Sequence, residues 1–328
     1  MTVARLPATT DGVVEVRPPE AGDAARLVAG RDAVFHRFLG PGADHPEPTG
    51  CVTVAGEVVG WVDVDADRAW LEPGELNAGY HVFAPFRGRG IATRAVQLLL
   101  HQLALDGHHR TVTLLIDPAN DRSLALARRA RFTRHGDLDG NPYWKRAVPP
   151  LTYTDGRVRI RRREPAADLD ADLSAKDPEQ IRWLWLPGDE GRWRSLSPAE
   201  QRAHALAGLE RTAVDFGRGP KWTFSVDADG SRHVGHVDCD LANEHVPAGE
   251  ANVSCSTHPD HRGRGVATGA VRQVLRFLAD HTGAPRAHLI VDERNAASRA
   301  VAAAVGAVEV ERWVDPFGAT MVRHVREL

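Results

Sequence analysis

Two four-residue segments carry the residue types that bind an anion. Arg87-Gly88-Arg89-Gly90 and Arg262-Gly263-Arg264-Gly265 each alternate two arginines with two glycines. Glycine adopts positive φ without steric cost and lets backbone N–H groups come close to a ligand. A helix starting directly afterwards adds unpaired N–H groups and the positive end of its dipole. Such a turn suits a phosphate or pyrophosphate, and the arginines would add charge. Taken alone, it is more often a plain surface turn.

The flanking elements must hold each turn in place. Glu57 to Asp65 alternates like a half-buried strand, and Asn77 to Phe83 reads as a strand running into the first turn. Beyond the turns, Ile91, Ala95, Leu98 and Leu99 share one helical face, as do Val266, Ala270, Val274 and Leu278. Thr111–Ile116 and His288–Val291 read as buried strands, with short helices starting near Asn120 and Asn295. The order predicts an α/β fold with a mixed sheet.

The chain contains this pattern twice. Shifted by 175 residues, it matches itself without a gap from Gly60 to Phe132, with 24 identities in 73 positions. Such a register implies two copies of one domain. Ala147 to Gly156 contains paired prolines and ends in Asp-Gly, a linker or turn signature, so the expected domains are 1–150 and 151–328. Val158-Arg-Ile-Arg161 restarts a strand-like alternation that echoes Val13 to Arg17. The second copy is 30 residues longer between its opening strand and Gly235. The extra length holds a capping box, Ser197-Pro198-Ala199-Glu200, and a stretch with Trp183, Trp185 and Trp193 beside Asp189 and Glu190. Those tryptophans read equally well as core residues or as an acceptor wall, where aromatics beside acids suit a cationic amine.

Composition narrows the function class. The chain has 328 residues, 26% of them charged, with a net charge of −3, which gives no basic domain for nucleic acid. Three cysteines without CxxC spacing suggest a reducing compartment. The N-terminus has no apolar run of the signal-peptide type, and no segment is long and apolar enough to span a bilayer. A cytoplasmic protein with no membrane partner is expected. His258 and His261 flank the second turn without Cys or Glu at ligand spacing, so no metal site is expected.

The segment Gly79 to Thr93 resembles the acetyl-CoA signature of the GNAT superfamily of acyltransferases, Arg/Gln-x-x-Gly-x-Gly/Ala after a central strand. It stands as Arg87-x-x-Gly90-x-Ala92 and again as Arg262-x-x-Gly265-x-Ala267. The family's later Asn-x-x-Ser element follows as Asn120 to Ser123 and Asn295 to Ser298. The resemblance implies tandem GNAT folds, each a mixed, mostly antiparallel sheet flanked by helices, with strands splayed at an acetyl-CoA cleft. It implies cofactor contacts at Val82, Phe83, Arg87, Gly88, Arg89, Gly90, Ile91, Ala92, Thr93, Asn120 and Ser123 in the first copy. In the second they fall at Ser256, Thr257, Arg262, Gly263, Arg264, Gly265, Val266, Ala267, Thr268, Asn295 and Ser298. The amine attacks the thioester directly, with a strand N–H as oxyanion donor. Deprotonating a lysine-like amine at pH 7 costs about 4–5 kcal/mol, which a base and a dry pocket supply.

The sequence departs from the family pattern at the acid and base. The strand position of the common base Glu holds Asn77 and Asn252, and the Tyr used by relatives as thiolate acid is replaced by Ala127 and Ala302. The catalytic candidates are therefore Asp238, Glu250, Asn252 and Ser298. The first-copy acids Asp63, Asp65 and Glu75 repeat those at Asp238, Asp240 and Glu250. Taken individually, Asp238 and Asp240 read slightly better as residues on a solvated strand edge. Trp183, Trp185, Asp189, Glu190, Trp193 and Asp240 are the substrate candidates. The expected activity is N-acetylation of a small polycationic acceptor, such as an aminoglycoside or cyclic-peptide antibiotic in self-resistance. The alternatives are protein N-terminal acetylation or a CoA-binding module without catalysis. The second copy is the expected catalytic one, and the two copies are expected to act as an internal pseudo-dimer.

Overall fold

The structure is a computed structural model that describes residues 6–328. Met1 to Arg5, the start of the segment read for a leader, lie outside the described residues. The chain divides into two compact units, Met1–Pro150 with Asp280–Gly283 and Leu151–Ala279 with Ala284–Leu328.

In the first unit the order is β1 (Thr9–Thr10), β2 (Glu15–Arg17), α1 (Asp23–Ala29), α2 (Ala33–Leu39), β3 (Gly50–Val54), β4 (Glu57–Asp65) and β5 (Glu75–Val82). Then come α3 (Ile91–Asp106), β6 (Thr111–Leu115), α4 (Asp121–Arg129), β7 (Thr133–Leu138) and β8 (Asn141–Ala147). The strands form one sheet in the order β1-β2-β3-β4-β5-β6-β8-β7. The predicted face of α3 is the buried one: Ile91, Ala95, Leu98 and Leu99 join Val62, Leu76 and Leu114 in one core cluster. Each Val, Leu or Ile side chain of this set removed from water stabilises the fold by about 1.5–3 kcal/mol.

The second unit repeats the plan with β9 (Tyr153–Thr154), β10 (Val158–Arg162), α5 (Pro165–Ser174), α6 (Pro178–Leu184), α7 (Asp189–Ser195), α8 (Pro198–Asp215), β11 (Lys221–Ala228) and β12 (Ser231–Asp240). It closes with β13 (Ala251–Thr257), α9 (Val266–His281), β14 (Arg286–Asp292), α10 (Ala296–Ala304), β15 (Val308–Val314) and β16 (Thr320–Glu327). Its sheet order, β9-β10-β11-β12-β13-β14-β16-β15, matches the first strand for strand. Val266, Ala270, Val274 and Leu278 are buried as their spacing predicts. The extra length forms α7 and α8. Helix α8 starts on the predicted capping box at Ser197 and Glu200, and its Leu209 and Ala205 pack on Leu169 of α5. Proline at the first helical position lacks only an N–H that would be unpaired anyway.

Both sheets are antiparallel except at one place. Strand β5 pairs parallel with β6 only over Glu75–Asn77 against Thr111–Thr113, and β13 with β14 only over Ala251–Asn252 against Ala287–His288. Beyond those residues the neighbours part, leaving backbone groups of β5 and β13 open to a ligand. This is the splay expected of the fold.

Candidate active site

Each turn follows a short 3-10 segment, Ala84–Phe86 or Pro259–His261. The glycines all take the left-handed backbone: φ is +77° at Gly88, +76° at Gly90, +69° at Gly263 and +75° at Gly265. A Cβ at Gly88, Gly90 or Gly263 would meet nothing within 4 Å. The turns therefore face open space on the side a ligand approaches. The first-turn N–H groups of α3 (Ile91, Ala92, Thr93) and α9 (Val266, Ala267, Thr268) lack intrahelical partners and can hold an anion.

The leading arginines do not supply charge to that anion. Arg87 donates from Nε to the Val82 carbonyl at 2.7 Å, and its two terminal nitrogens bond Asp32 at 2.6 and 2.9 Å. Arg262 does the same with the Thr257 carbonyl and with both oxygens of Asp177. Five residues beyond the strand end, each guanidinium folds back onto the strand it left. Its work is to clamp the turn, so Arg87 and Arg262 are positioning residues. Asp32 and Asp177 also cap helices, accepting from Phe35 N–H and Gln180 N–H. Sequence spacing gave no sign of these acids, 55 and 85 residues upstream. Phe83 is likewise buried, its N–H bonded to Val59 and its carbonyl to Phe86 N–H. Its N–H is therefore not free for a cofactor.

The Asn-x-x-Ser elements have a local physical meaning. Asn120 Oδ1 accepts from Ser123 N–H at 3.2 Å, and Asn295 Oδ1 from Ser298 N–H at 3.0 Å. Both asparagines are helix N-caps.

In the second unit the splay opens into a cleft of about 590 Å³. It is lined by Ser256, Thr257, Arg262, Gly263, Gly265, Val266, Ala267, Thr268, Asn295 and Ser298, all expected cofactor contacts. Of those expected for this copy, Arg264 is not among the lining residues. The hydroxyl of Thr257 and the amide oxygen of Asn252 are buried without a protein partner, as is the amide oxygen of Asn77 in the first unit. Buried polar atoms are normally satisfied, so a ligand in the cleft is the natural partner of the Thr257 hydroxyl, whereas Asn252 is not among the lining residues.

A domain model described as acetyltransferase (GNAT) domain matches residues 42–133 and 157–308, most of the chain. The chain belongs to the GNAT acetyltransferase family. It is an acyltransferase, and acetyl-CoA is its cosubstrate. No curated protein gives a significant match. Among solved structures, the Microcin C7 self immunity acetyltransferase MccE in complex with acetyl-CoA and AMP is 13% identical, with a TM-score of 0.40, covering 53% of this chain and 94% of its own. Mycobacterium smegmatis RimJ in complex with CoA-disulfide is 21% identical, with a TM-score of 0.43, covering 52% of this chain and 81% of its own. A putative ribosomal-protein-serine acetyltransferase from Vibrio cholerae is 15% identical, with a TM-score of 0.42, covering 55% of this chain and 99% of its own.

The two GNAT sheets differ on the face toward their first helices. In the first, Cys51, Trp61 and His81 lie in one register row, and Phe83 follows. These side chains pack with Leu27 and Phe35: the Phe35 and His81 rings are 4.9 Å apart, and a Cβ on Gly30 would fall 2.2 Å from the Phe83 ring. In the second, the matching positions hold Ser225, His236, Ser256 and His258. Burial holds His236 down at about 3 and His258 at about 4, so both rings are neutral at pH 7. His236 was not singled out from the sequence. A lone His within an alternating strand carries no signal until its register row is known.

The catalytic candidates of this GNAT domain separate by their surroundings. Asp238 lies in β12, between β11 and β13, so it is not on a sheet edge, and it is buried at 7% exposure. It accepts from Ser254 Oγ at 2.8 Å, and Lys221 Nζ stands 3.8 Å away. Burial raises its carboxyl above the ordinary value. Asp240 shares that sheet face at 4.0 Å from Lys221. Glu250 is gripped by Arg286 and by His288, each at 2.5 Å, which makes it a structural anchor and leaves it no freedom to act as a base. Ser298 lines the cleft. Among the described residues no group of His, Cys, Asp and Glu is arranged to hold a metal ion.

The tryptophan-rich stretch is split: Trp193 packs on the Leu169, Ala205 and Leu209 core cluster, and there is no continuous wall. Trp183 lines the cleft, its indole N–H bonded to Glu179 at 2.6 Å. Trp185 and Trp193 meet edge to face with ring centroids 5.9 Å apart, half-buried and away from the cleft lining. Asp189 is paired with Arg192, and Glu190 with Arg194 at 2.6 Å, on the short helix α7. The residues at i+3 and i+4 neutralise the acids offered for a cationic acceptor. Among the described residues no helix is long and apolar enough to cross a membrane.

Proposed function

We propose that the second GNAT domain transfers the acetyl group of acetyl-CoA to the amine of a small molecule, and that the first is a scaffold. The observation that carries this reading is the contrast between the two sheet faces. The first domain fills its face with Trp61, His81, Phe83 and Phe35, whereas the second carries the polar residues Ser225, His236, Asp238 and Ser256 on the matching face, with Ser256 lining an open cleft and Ser225 buried against Asp168. A packed aromatic face leaves no room for an acceptor. A polar face next to the splay offers hydrogen bonds to an amine and a route for its proton.

An antibiotic amine of the aminoglycoside or cyclic-peptide kind, acetylated in self-resistance, remains the first acceptor to test. The aromatic Trp183 at the cleft supports a stacked, amine-bearing ligand. Release of free CoA thiol is the assay, run over a panel of amine antibiotics and of peptides with free N-termini. Turnover with the small amines and none with the peptides is the expected result. The reverse would assign protein N-terminal acetylation. Tight CoA binding without amine-dependent thiol release would make the protein a binding module.

A further inference from the structure

We propose that Ser254 and Asp238 form a proton relay that carries the proton of the acceptor ammonium away from the cleft. This rests on the reading of the second domain as an amine acetyltransferase. Three observations converge on the pair. Ser254 lines the cleft on β13, two residues past the point where β13 leaves β14, at the level where the splay begins. It lies directly opposite Asp238 in the β12–β13 register, and its hydroxyl donates to Asp238 Oδ2 at 2.8 Å. Asp238 itself is buried, so the cleft reaches its carboxylate through the serine.

The first domain has the acid without the relay. Asp63 is the matching residue, and Gly79 stands opposite it. The Asp63 carboxylate instead accepts from the N–H and hydroxyl of Thr49 at 3.0 and 2.9 Å. Without a hydroxyl at position 79, nothing links that acid to the splay.

The ammonium passes a proton to Ser254 Oγ while the Ser254 hydroxyl proton moves to Asp238 Oδ2. The neutral amine attacks the thioester carbonyl, a C–N bond forms, and the C–S bond breaks with its electron pair going to sulfur. The second proton lost from nitrogen goes to the thiolate, so CoA leaves as the thiol. Asp238 then returns its proton to solvent. Ser254 touches the amine and is the catalytic residue; Asp238 acts through it.

The relay accepts a proton only while Asp238 is ionised. The groups facing Asp238 are Lys221 and Thr223 on β11, Asn252 and Ser254 on β13, His236 and Asp240 on its own strand, and Arg163 beyond β10, while Cys239 and Cys255 lie next to it on the opposite sheet face. Of these, Lys221 and Arg163 favour the ionised form and Asp240 opposes it, while burial opposes it most. The rate should therefore rise with pH as Asp238 ionises, above the ordinary carboxylate range.

The test compares two nucleophiles on the full chain: n-butylamine, protonated at pH 7, and hydroxylamine, neutral there. Ser254→Ala and Asp238→Asn should each lower kcat with butylamine about 100-fold, a general-base effect, and change hydroxylamine turnover less than about threefold on the same warrant. Asp238→Asn should also abolish the rising limb of the pH profile, and Ser254→Thr, which keeps the hydroxyl, should restore butylamine turnover. CoA binding by calorimetry confirms that each variant is folded. Equal losses with both nucleophiles, or no loss with either, would overturn the relay while leaving the acetyltransferase reading intact. Wild-type protein that releases no thiol with either amine would overturn that reading and the relay with it.

Discussion

Arg262 bonds both carboxylate oxygens of Asp177 at 2.7 Å, and Asp177 caps the helix that carries Trp183 to the cleft. One acid thus ties the cofactor turn to the helix above the cleft. The first domain repeats the arrangement with Arg87 and Asp32.

Asp177→Ala should therefore weaken two things together. Loss of the cap costs about 1 kcal/mol, and the partly exposed ion pair adds roughly 0.5 kcal/mol. CoA binding should weaken as the turn loosens. The Asp177 carboxyl is held below its ordinary value, first by Arg262, so its contribution to stability is present above the unfolded value and is lost as pH falls through the folded one. Thermal unfolding of Asp177→Asn should show a flatter acid limb than wild type. Identical acid limbs would mean that the pair does not stabilise the fold.

Each domain retains an open glycine turn, so calorimetry should find two CoA sites per chain. Gly265→Glu and Gly90→Glu should each remove one. Both substitutions force a side chain into positive φ, at a cost of about 1 kcal/mol, and set a carboxylate where the pyrophosphate binds. A single site in wild type would contradict the two-site reading.

Cys255 lines the cleft, yet burial pushes its thiol up to about 12, so it is not a thiolate at pH 7. Direct attack by the amine needs no acetyl-cysteine. Cys255→Ala should keep turnover within about threefold, since no covalent step is lost. Mass spectrometry of the protein with acetyl-CoA alone should show no added acetyl group. A stable acetyl adduct on Cys255 would replace direct attack with a two-step path.

Glu250 should behave as an anchor. Removing its charge leaves Arg286 and His288 without their partner, so Glu250→Gln should cost about 1–3 kcal/mol of stability. The pH dependence of kcat should be unchanged. A lost rising limb in that variant would reinstate Glu250 as the base.

Much of this was legible in the sequence because it is local. The glycine turns, the capping box at Ser197 and the buried faces of α3 and α9 each depend on residues within a few positions of one another. The repeat made the tandem sheets readable, since Gly60 and Gly235 recur in one register. What the sequence hid are contacts across the sheet or between distant segments. Asp32 and Asp177 meet their arginines only after folding, so Arg87 and Arg262 looked like anion ligands when they are clamps. Asp238 looked like an edge residue because its alternation is the same on an edge or a central strand; only β11 and β13 on either side settle its burial. Asp189 and Glu190 looked available until helix α7 brought Arg192 and Arg194 onto them.

The central claim is that acetyl transfer takes place in the second domain. Acetyl transfer by Gly90→Glu and Gly265→Glu, measured as thiol release with the fastest amine of the panel, tests it most directly. Gly265→Glu should lose at least about 100-fold in turnover, since excluding the cofactor removes the positioning of the thioester, while Gly90→Glu stays near wild type. Full activity in Gly265→Glu with loss in Gly90→Glu would move the chemistry to the first domain, and loss in both would mean that the two copies build one shared site.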